Sequence, residues 1–301
     1  TYATDGTLYT KADGKSQTTT YTNYKAGLPQ STGYHDGTSE SAVVTTNGYI
    51  MSMTNAAGYT TSFGYDVMGR PSSITYPTAD TVPWNSTTIV SERVPSSEFG
   101  ISGAHWRQTV STGNARSITY YDGLLRPILN RTFDTASPST TGTAVRKTFD
   151  HLGNVTFESY PLRDIADVNT AVNGITRSFD VLGRPRSEIA ASELGNLTTS
   201  FSYGNPFSTT VTNPRGKSST YTYYAWDQPS TDLVRTVAMP DSVNLTINRS
   251  TFGATTSMVR SRGAQLLTRR YVYDGFERLC KTIEPEVGAT VQDYDLANNI
   301  E

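Results

Sequence analysis

Thr60-Thr61-Ser62-Phe63-Gly64-Tyr65-Asp66-Val67-Met68-Gly69-Arg70-Pro71 decides the reading of this chain. Thr60 to Tyr65 alternates as a strand does, with successive side chains on opposite faces. Asp66 can accept hydrogen bonds from backbone amides two residues on, which opens an Asx-type turn. Gly69 can adopt a positive φ without steric cost, and Arg70 to Tyr76 resumes an extended run. The unit is therefore strand, turn, strand: a hairpin with a four-to-five-residue loop. A single hairpin is marginal in water, so it must stack on neighbours to bury its aromatic face.

The rest of the chain supplies those neighbours. Phe179-Asp180-Val181-Leu182-Gly183-Arg184-Pro185 is nearly the same string. Tyr121-Asp122-Gly123-Leu124-Leu125-Arg126-Pro127 keeps the ends and loses the Gly, whereas Phe149-Asp150-His151-Leu152-Gly153-Asn154 keeps the Gly and replaces the Arg. Tyr273-Asp274 with Arg278, and Tyr294-Asp295, are looser copies, and Tyr223, Tyr203, Phe252 and Tyr24 head weaker ones. From Tyr121 onward the aromatics at 121, 149, 179, 203, 223, 252, 273 and 294 recur every 20 to 30 residues. A second half-motif precedes several copies: Asn55-Ala56-Ala57-Gly58, Glu193-Leu194-Gly195-Asn196 and Asn213-Pro214-Arg215-Gly216, each followed by a Thr/aromatic alternation. The pattern predicts an antiparallel sheet that grows hairpin by hairpin over residues 1–301.

Composition agrees. Leu, Ile, Val and Phe together make only 58 of 301 residues, while there are 48 Thr and 19 Tyr. So low an aliphatic content signals disorder only when net charge is high, and here it is −2. Thr and Tyr suit a pleated, half-buried surface. Near-neutral charge without a Lys/Arg cluster argues against nucleic acid as a partner. No apolar run reaches the 18 residues of a membrane-spanning helix. One cysteine, Cys280, allows no internal disulfide and no thiol-rich metal site. Helix signals are poor, Asp164 to Thr170 being the one short candidate, and 77–110 carries no clear repeat copy and reads as an insertion loop. The first residues read as the middle of a longer polypeptide and the last as the interior of a repeat, so both ends are expected to expose unpaired sheet edges and to favour association.

The recurrent Tyr/Phe-Asp-x-x-Gly-Arg unit, with its upstream Asn-x-x-Gly turn, resembles the YD repeat of the Rhs (rearrangement hotspot) family from about Lys11 to Ile300. The resemblance implies an all-β fold: a spiralling antiparallel sheet of hairpins forming part of a hollow shell, or β-cocoon. It implies a secreted or surface-displayed bacterial protein. In polymorphic toxins and insecticidal Tc complexes such a shell encloses a C-terminal toxic domain; in teneurins a similar shell serves recognition. The implied partners are the remainder of the same shell and its toxin cargo, with the secretion apparatus or cell-surface glycans as further candidates. The family's self-cleaving Asp-Pro-x-Gly pair is missing here. Asn213-Pro214-Arg215-Gly216 is a lone look-alike with Asn in place of Asp, so no self-cleavage is assigned.

Candidate chemistry is sparse. The structural motif comprises Tyr65, Asp66, Gly69, Arg70; Tyr121, Asp122, Arg126; Phe149, Asp150, Gly153; Phe179, Asp180, Gly183, Arg184; Tyr273, Asp274, Arg278; and Tyr294, Asp295. Its aspartates recur one per hairpin and read as turn caps, not as paired catalytic carboxylates, which must share one cleft. The arginines read either as partners of those aspartates or as a stripe for carboxylates or sulfated sugars. His35, His105 and His151 stand alone, without metal-ligand spacing. There is no Gly-x-Ser-x-Gly elbow and no phosphate-binding loop, and Cys280 reads as a buried structural thiol. No catalytic residue, metal or cofactor is expected. Tyr224 and Trp226, in the densest aromatic patch, are the candidates for glycan stacking. The leading expectation is a non-catalytic wall that sequesters a toxin; the rival is an extracellular adhesion or glycan-binding module.

Overall fold

The computed structural model describes every residue except 79, 80, 82, 83, 164–166, 205, 206, 226, 227 and 229. The candidate Trp226 lies outside the described residues. The chain divides into two units, Thr1–Thr148 with Ser159–Val172, and Phe149–Glu158 with Asn173–Glu301.

The first unit is a meander. Strands β1 (Thr10–Ala12), β2 (Thr18–Thr22), β3 (Ser31–Gly33), β4 (Ser39–Val44), β5 (Ile50–Thr54) and β6 (Thr60–Tyr65) each pair antiparallel with the next. The run continues through β7 (Pro71–Thr75), β8 (Thr87–Val94), β9 (His105–Thr112), β10 (Ala115–Tyr121), β11 (Pro127–Asp134) and β12 (Thr143–Phe149), apart from the last residue of β12. The second unit holds β13 (Val155–Ser159), apart from its last residue, and repeats the meander from β15 (Gly174–Phe179) through β16 (Pro185–Ser192), β17 (Gly195–Gly204), β18 (Ser208–Thr212), β19 (Ser218–Tyr223) and β20 (Val234–Met239). It goes on through β21 (Val243–Arg249), β22 (Thr255–Arg262), β23 (Gln265–Tyr273), β24 (Leu279–Glu284) and β25 (Gly288–Val291). The short β14 (Leu162–Arg163) pairs back onto β12.

Three sequence expectations need correction. The segment 77–110 is no simple loop: it contains all of β8 and most of β9, paired over eight residues from Thr87↔Thr112 to Val94↔His105. The β-branched run Thr87-Thr88-Ile89-Val90 starts this strand, but the hairpin closes without an Asp turn and so left no repeat signature. The Asp164–Thr170 candidate is not a helix over its described part; Asp167 to Thr170 form a turn closed by Thr170 N–H donating to Asp167 O. Helix is confined, among the described residues, to single turns at Pro138–Thr141 and Pro240–Ser242. Finally, the loop at Asp66 is shorter than expected. Asp66 N–H donates to Arg70 O and Gly69 N–H to Asp66 O, leaving a three-residue loop, Val67 to Gly69, with Gly69 at φ +77°. This is a type I turn completed by a left-handed residue.

Burial is thin, as expected of a sheet with few covering layers. Among the described residues a core cluster lies in the first unit, formed by Ile101, Tyr120, Leu129 and Ala144 and joined by Phe99, Ile118, Ile128, Leu162 and Val168. The β8–β9 connection and the segment after β14 supply the cover, Val168 N–H donating to Phe99 O at 2.8 Å.

Candidate functional site: the repeat turns

Each repeat aspartate uses both carboxylate oxygens, one on the backbone and one on a side chain. Asp66 Oδ1 accepts the amides of Met68 and Arg70, both at 2.9 Å, and Oδ2 accepts Arg70 Nε at 2.7 Å. Asp122, Asp180 and Asp274 repeat this, taking Arg126, Arg184 and Arg278 on Oδ2 at 2.7–2.8 Å. Where Asn replaces Arg the arrangement survives with a neutral donor: Asn154 Nδ2 on Asp150 at 2.9 Å and Asn299 Nδ2 on Asp295 at 3.1 Å. Neutral Asn replaces the aspartate itself at Asn55 and Asn213, which accept the same two amides. The Asn213-Pro214-Arg215-Gly216 stretch is thus a turn of this kind.

These bonds hold five aspartates below the usual carboxylate range. The Arg70 amide is the main cause for Asp66 and the Arg278 amide for Asp274. The Arg184 side chain is the main cause for Asp180, and the Asn154 side chain for Asp150. For Asp122 burial pushes upward most strongly, and the Arg126 amide and guanidinium together outweigh it. Hydrogen bonding to the charged form lowers a pKa; a general acid needs the opposite shift.

Meander topology sorts the turns. Because consecutive strands are antiparallel, every second turn returns to the same end of the strands. In the first unit the Asp66 and Asp122 turns therefore share one end, and the Asn55 turn lies at the other. In the second unit the Asp180, Asp274 and Asp295 turns share one end, and the Asn213 turn and the Gly263 hairpin lie opposite. One period of the sequence is thus two strands and two turns of different kinds.

Along the aspartate end the turns are stitched together. Tyr203 donates its hydroxyl to Pro185 O at 2.7 Å, Tyr273 to Thr255 O at 2.9 Å, Tyr294 to Leu279 O at 2.8 Å, and Tyr65 to Ile50 O at 2.8 Å. Each acceptor is the first residue of the neighbouring strand, immediately past the preceding turn. The arginine of that preceding turn lies over the tyrosine: Arg184 over Tyr203 at 4.0 Å and Arg278 over Tyr294 at 4.6 Å. Arg278 also donates to Asn298 Oδ1 in the next turn at 2.9 Å. The arginines are therefore engaged by their own aspartates and by neighbouring rings, not displayed as a free stripe. Tyr224 is likewise tied down, its hydroxyl on Ile247 O at 3.0 Å and Arg235 5.8 Å from its ring.

Turn tips point outward and are apolar: Val67, Met68, Leu124, Val181, Leu182, Phe276 and Leu296 are all exposed. The two turns of the first unit flank a concavity of about 360 Å³ lined by Met68, Arg70, Trp106, Tyr121 and Leu125 among others.

Sequence reasoning missed one group. His105, 6% exposed, places Nε2 3.1 Å from Glu98 Oε1 and Nδ1 3.1 Å from Gly103 O. Arg107 joins Glu98 at 3.0 Å and Glu92 at 2.8 Å. Only the β8–β9 pairing, which places Glu92 opposite Arg107, could have foretold part of it. Cys280 is half-buried rather than buried, its thiol 3.4 Å from Val272 O. Among the described residues no cluster of His, Cys, Asp and Glu is placed to hold a metal, and no helix is long and apolar enough to cross a membrane.

Comparison with known proteins places this architecture. The family described as RHS Repeat matches residues 46–81, which contain the Asp66 turn. No curated protein matches the sequence. Among solved structures, "Crystal Structure of TcdB2-TccC3-Cdc42" is similar at TM-score 0.74 and 12% identity, over 100% of this chain and 17% of that one. "Crystal Structure of TcdB2-TccC3-TEV" is similar at TM-score 0.52 and 15% identity, over 99% of this chain and 17% of that one. The chain thus spans about a sixth of the solved chains it matches, and the likeness is one of fold. An RHS repeat is thus recognised around Asp66, the same turn is rebuilt along both units, and the fold is similar to that of the TcdB2-TccC3 structures.

Proposed function

We propose that this chain is a non-catalytic wall segment of an Rhs-type shell that sequesters a toxic cargo within a larger secreted bacterial protein. The observation that carries the reading is the stitched row of Asp-Arg-Tyr turns, which uses the repeat's polar side chains for internal cohesion. A wall must hold many shallow hairpins together without a deep core, and Tyr65, Tyr203, Tyr273 and Tyr294 each tie a turn to its neighbour through a strand carbonyl. The exposed apolar tips suit packing against further repeats of the same wall, since rows of exposed apolar side chains mark interaction surfaces. The fold likeness to TcdB2-TccC3 structures supports the same reading. Tyr224, held by Ile247 and Arg235, serves the sheet rather than a glycan platform.

The test uses the full-length protein from which this segment comes. Limited proteolysis should leave polypeptide beyond the repeats intact while the shell is closed and degrade it once the shell is opened with mild denaturant. Equal cleavage rates in both conditions would overturn the containment role.

A further inference from the structure

One face of the second unit carries two arginines that the repeat does not use. Arg260 and Arg262 are two residues apart on β22 and so point to the same side of the sheet. Arg260 stands opposite Leu245 and Leu267, and Arg262 opposite Val243 and Gln265. Both arginines are exposed, and neither has a hydrogen bond, ion pair or ring partner among the described residues. The neighbouring arginine on that face, Arg269, opposite Met258, is by contrast held by Glu284 at 3.4 Å and Glu286 at 3.3 Å. A concavity of about 400 Å³ lies here, lined by Val243, Arg260, Arg262, Gln265 and Leu267 among others.

We propose that this concavity binds an extended acidic peptide segment whose carboxylates occupy alternate positions. Charge and register both favour that occupant. Two guanidiniums without carboxylates attract anions, and each presents a planar fork that matches a carboxylate. Their separation along the strand, roughly 7 Å, is that of alternate side chains on any extended chain. A peptide laid along β22 therefore meets both arginines at once. Val243 and Leu267 flank the line and cover the methylenes of glutamate side chains, and the Gln265 amide adds a neutral donor. The site is independent of the containment reading, because it needs only this face of the second unit.

The test is fluorescence anisotropy with a labelled peptide of alternating Glu and Thr, against an isomer whose glutamates are adjacent. The paired substitution R260Q/R262Q should weaken binding about tenfold or more, and R260K/R262K should keep most of it. The isomer should bind less tightly than the alternating peptide. R215Q, which removes an exposed arginine from the Asn213 turn, is the control and should leave binding unchanged. Neither Arg260 nor Arg262 holds a partner among the described residues, so circular dichroism should show the variants folded. Unchanged affinity in R260Q/R262Q, equal loss in R215Q, or binding of a sulfated oligosaccharide at Arg260 and Arg262 without the peptide would overturn the proposal.

Discussion

The guanidinium of Arg184 lies 4.0 Å from the ring centre of Tyr203, while the Tyr203 hydroxyl bonds the carbonyl of Pro185, the residue that follows that arginine. Arginine and tyrosine thus clamp one turn to the next strand pair from two sides. Replacing Tyr203 with Phe removes only the hydroxyl bond and should cost about 1 kcal/mol. In a double-mutant cycle of Arg184→Ala and Tyr203→Ala, read by urea denaturation, the coupling should be about 0.5–1 kcal/mol. Additive effects would show that the stacking is incidental.

Asp122 tests the turn itself. Asp122→Asn keeps an oxygen for the Leu124 and Arg126 amides, as Asn213 does in its own turn, but loses the negative charge that faces Arg126. Asp122→Ala loses every one of these bonds. Denaturation midpoints should fall in the order wild type, Asn, Ala, with Ala costing about 1–3 kcal/mol. Equal loss in both variants would mean that the ion pair, not the capped backbone, holds the turn.

Much of this was legible in the sequence, because the repeat is local. Asp66 to Arg70 contains its own acceptor, amides and guanidinium within five residues, so the turn needs nothing from afar. The tyrosine stitches were harder to see, since the acceptor carbonyl belongs to any residue type: Pro185, Thr255, Leu279 and Ile50 share only their place after a turn. The β8–β9 hairpin escaped for the complementary reason. Its connection is organised by the Glu98–His105–Arg107 contacts and by packing of Phe99 and Ile101 on Tyr120, which are set by tertiary structure.

That connection should open when its carboxylate is lost. Glu98→Gln leaves His105, 6% exposed, without its anionic partner and leaves Arg107 with Glu92 alone. The expected cost is about 1–3 kcal/mol, with faster protease cleavage within 95–104. Cleavage there at the wild-type rate would show that Phe99 and Ile101 hold the segment unaided.

Besides Asn298 at +66°, two repeats put a non-glycine residue where the turn demands positive φ, Leu125 at +59° and Glu277 at +60°. An L-residue in this region costs roughly 1 kcal/mol, and both side chains are exposed. Glu277→Gly should therefore raise stability by about 0.5–1 kcal/mol. Gly69→Ala should lower it, and more than Gly183→Ala does. A Cβ at 69 would stand 2.1 Å from the Tyr49 hydroxyl, whose ring is packed 4.8 Å from Tyr65, whereas at 183 the nearest atom is 3.9 Å away. Thermal midpoints of the three variants would decide, and equal loss at 69 and 183 would sink the steric part.

The capped aspartates also set an acid limit. Asp66, Asp122, Asp150, Asp180 and Asp274 all have lowered folded-state pKa values. A lowered carboxylate binds fewer protons folded than unfolded, so its stabilisation is complete above the unfolded value, about 3.9, and is lost as pH falls through the lower folded value. Stability should be flat in this respect near neutrality and should decline from about pH 5 downward. Five turns lose their charged caps over the same interval, so their effects accumulate along both units. Replacing Asp66, Asp180 and Asp274 together with Asn, which caps without titrating, should flatten the slope of urea midpoint against pH between about pH 5 and pH 3. An unchanged slope would assign acid sensitivity to carboxylates outside these three turns, with Asp122 and Asp150 the next to substitute.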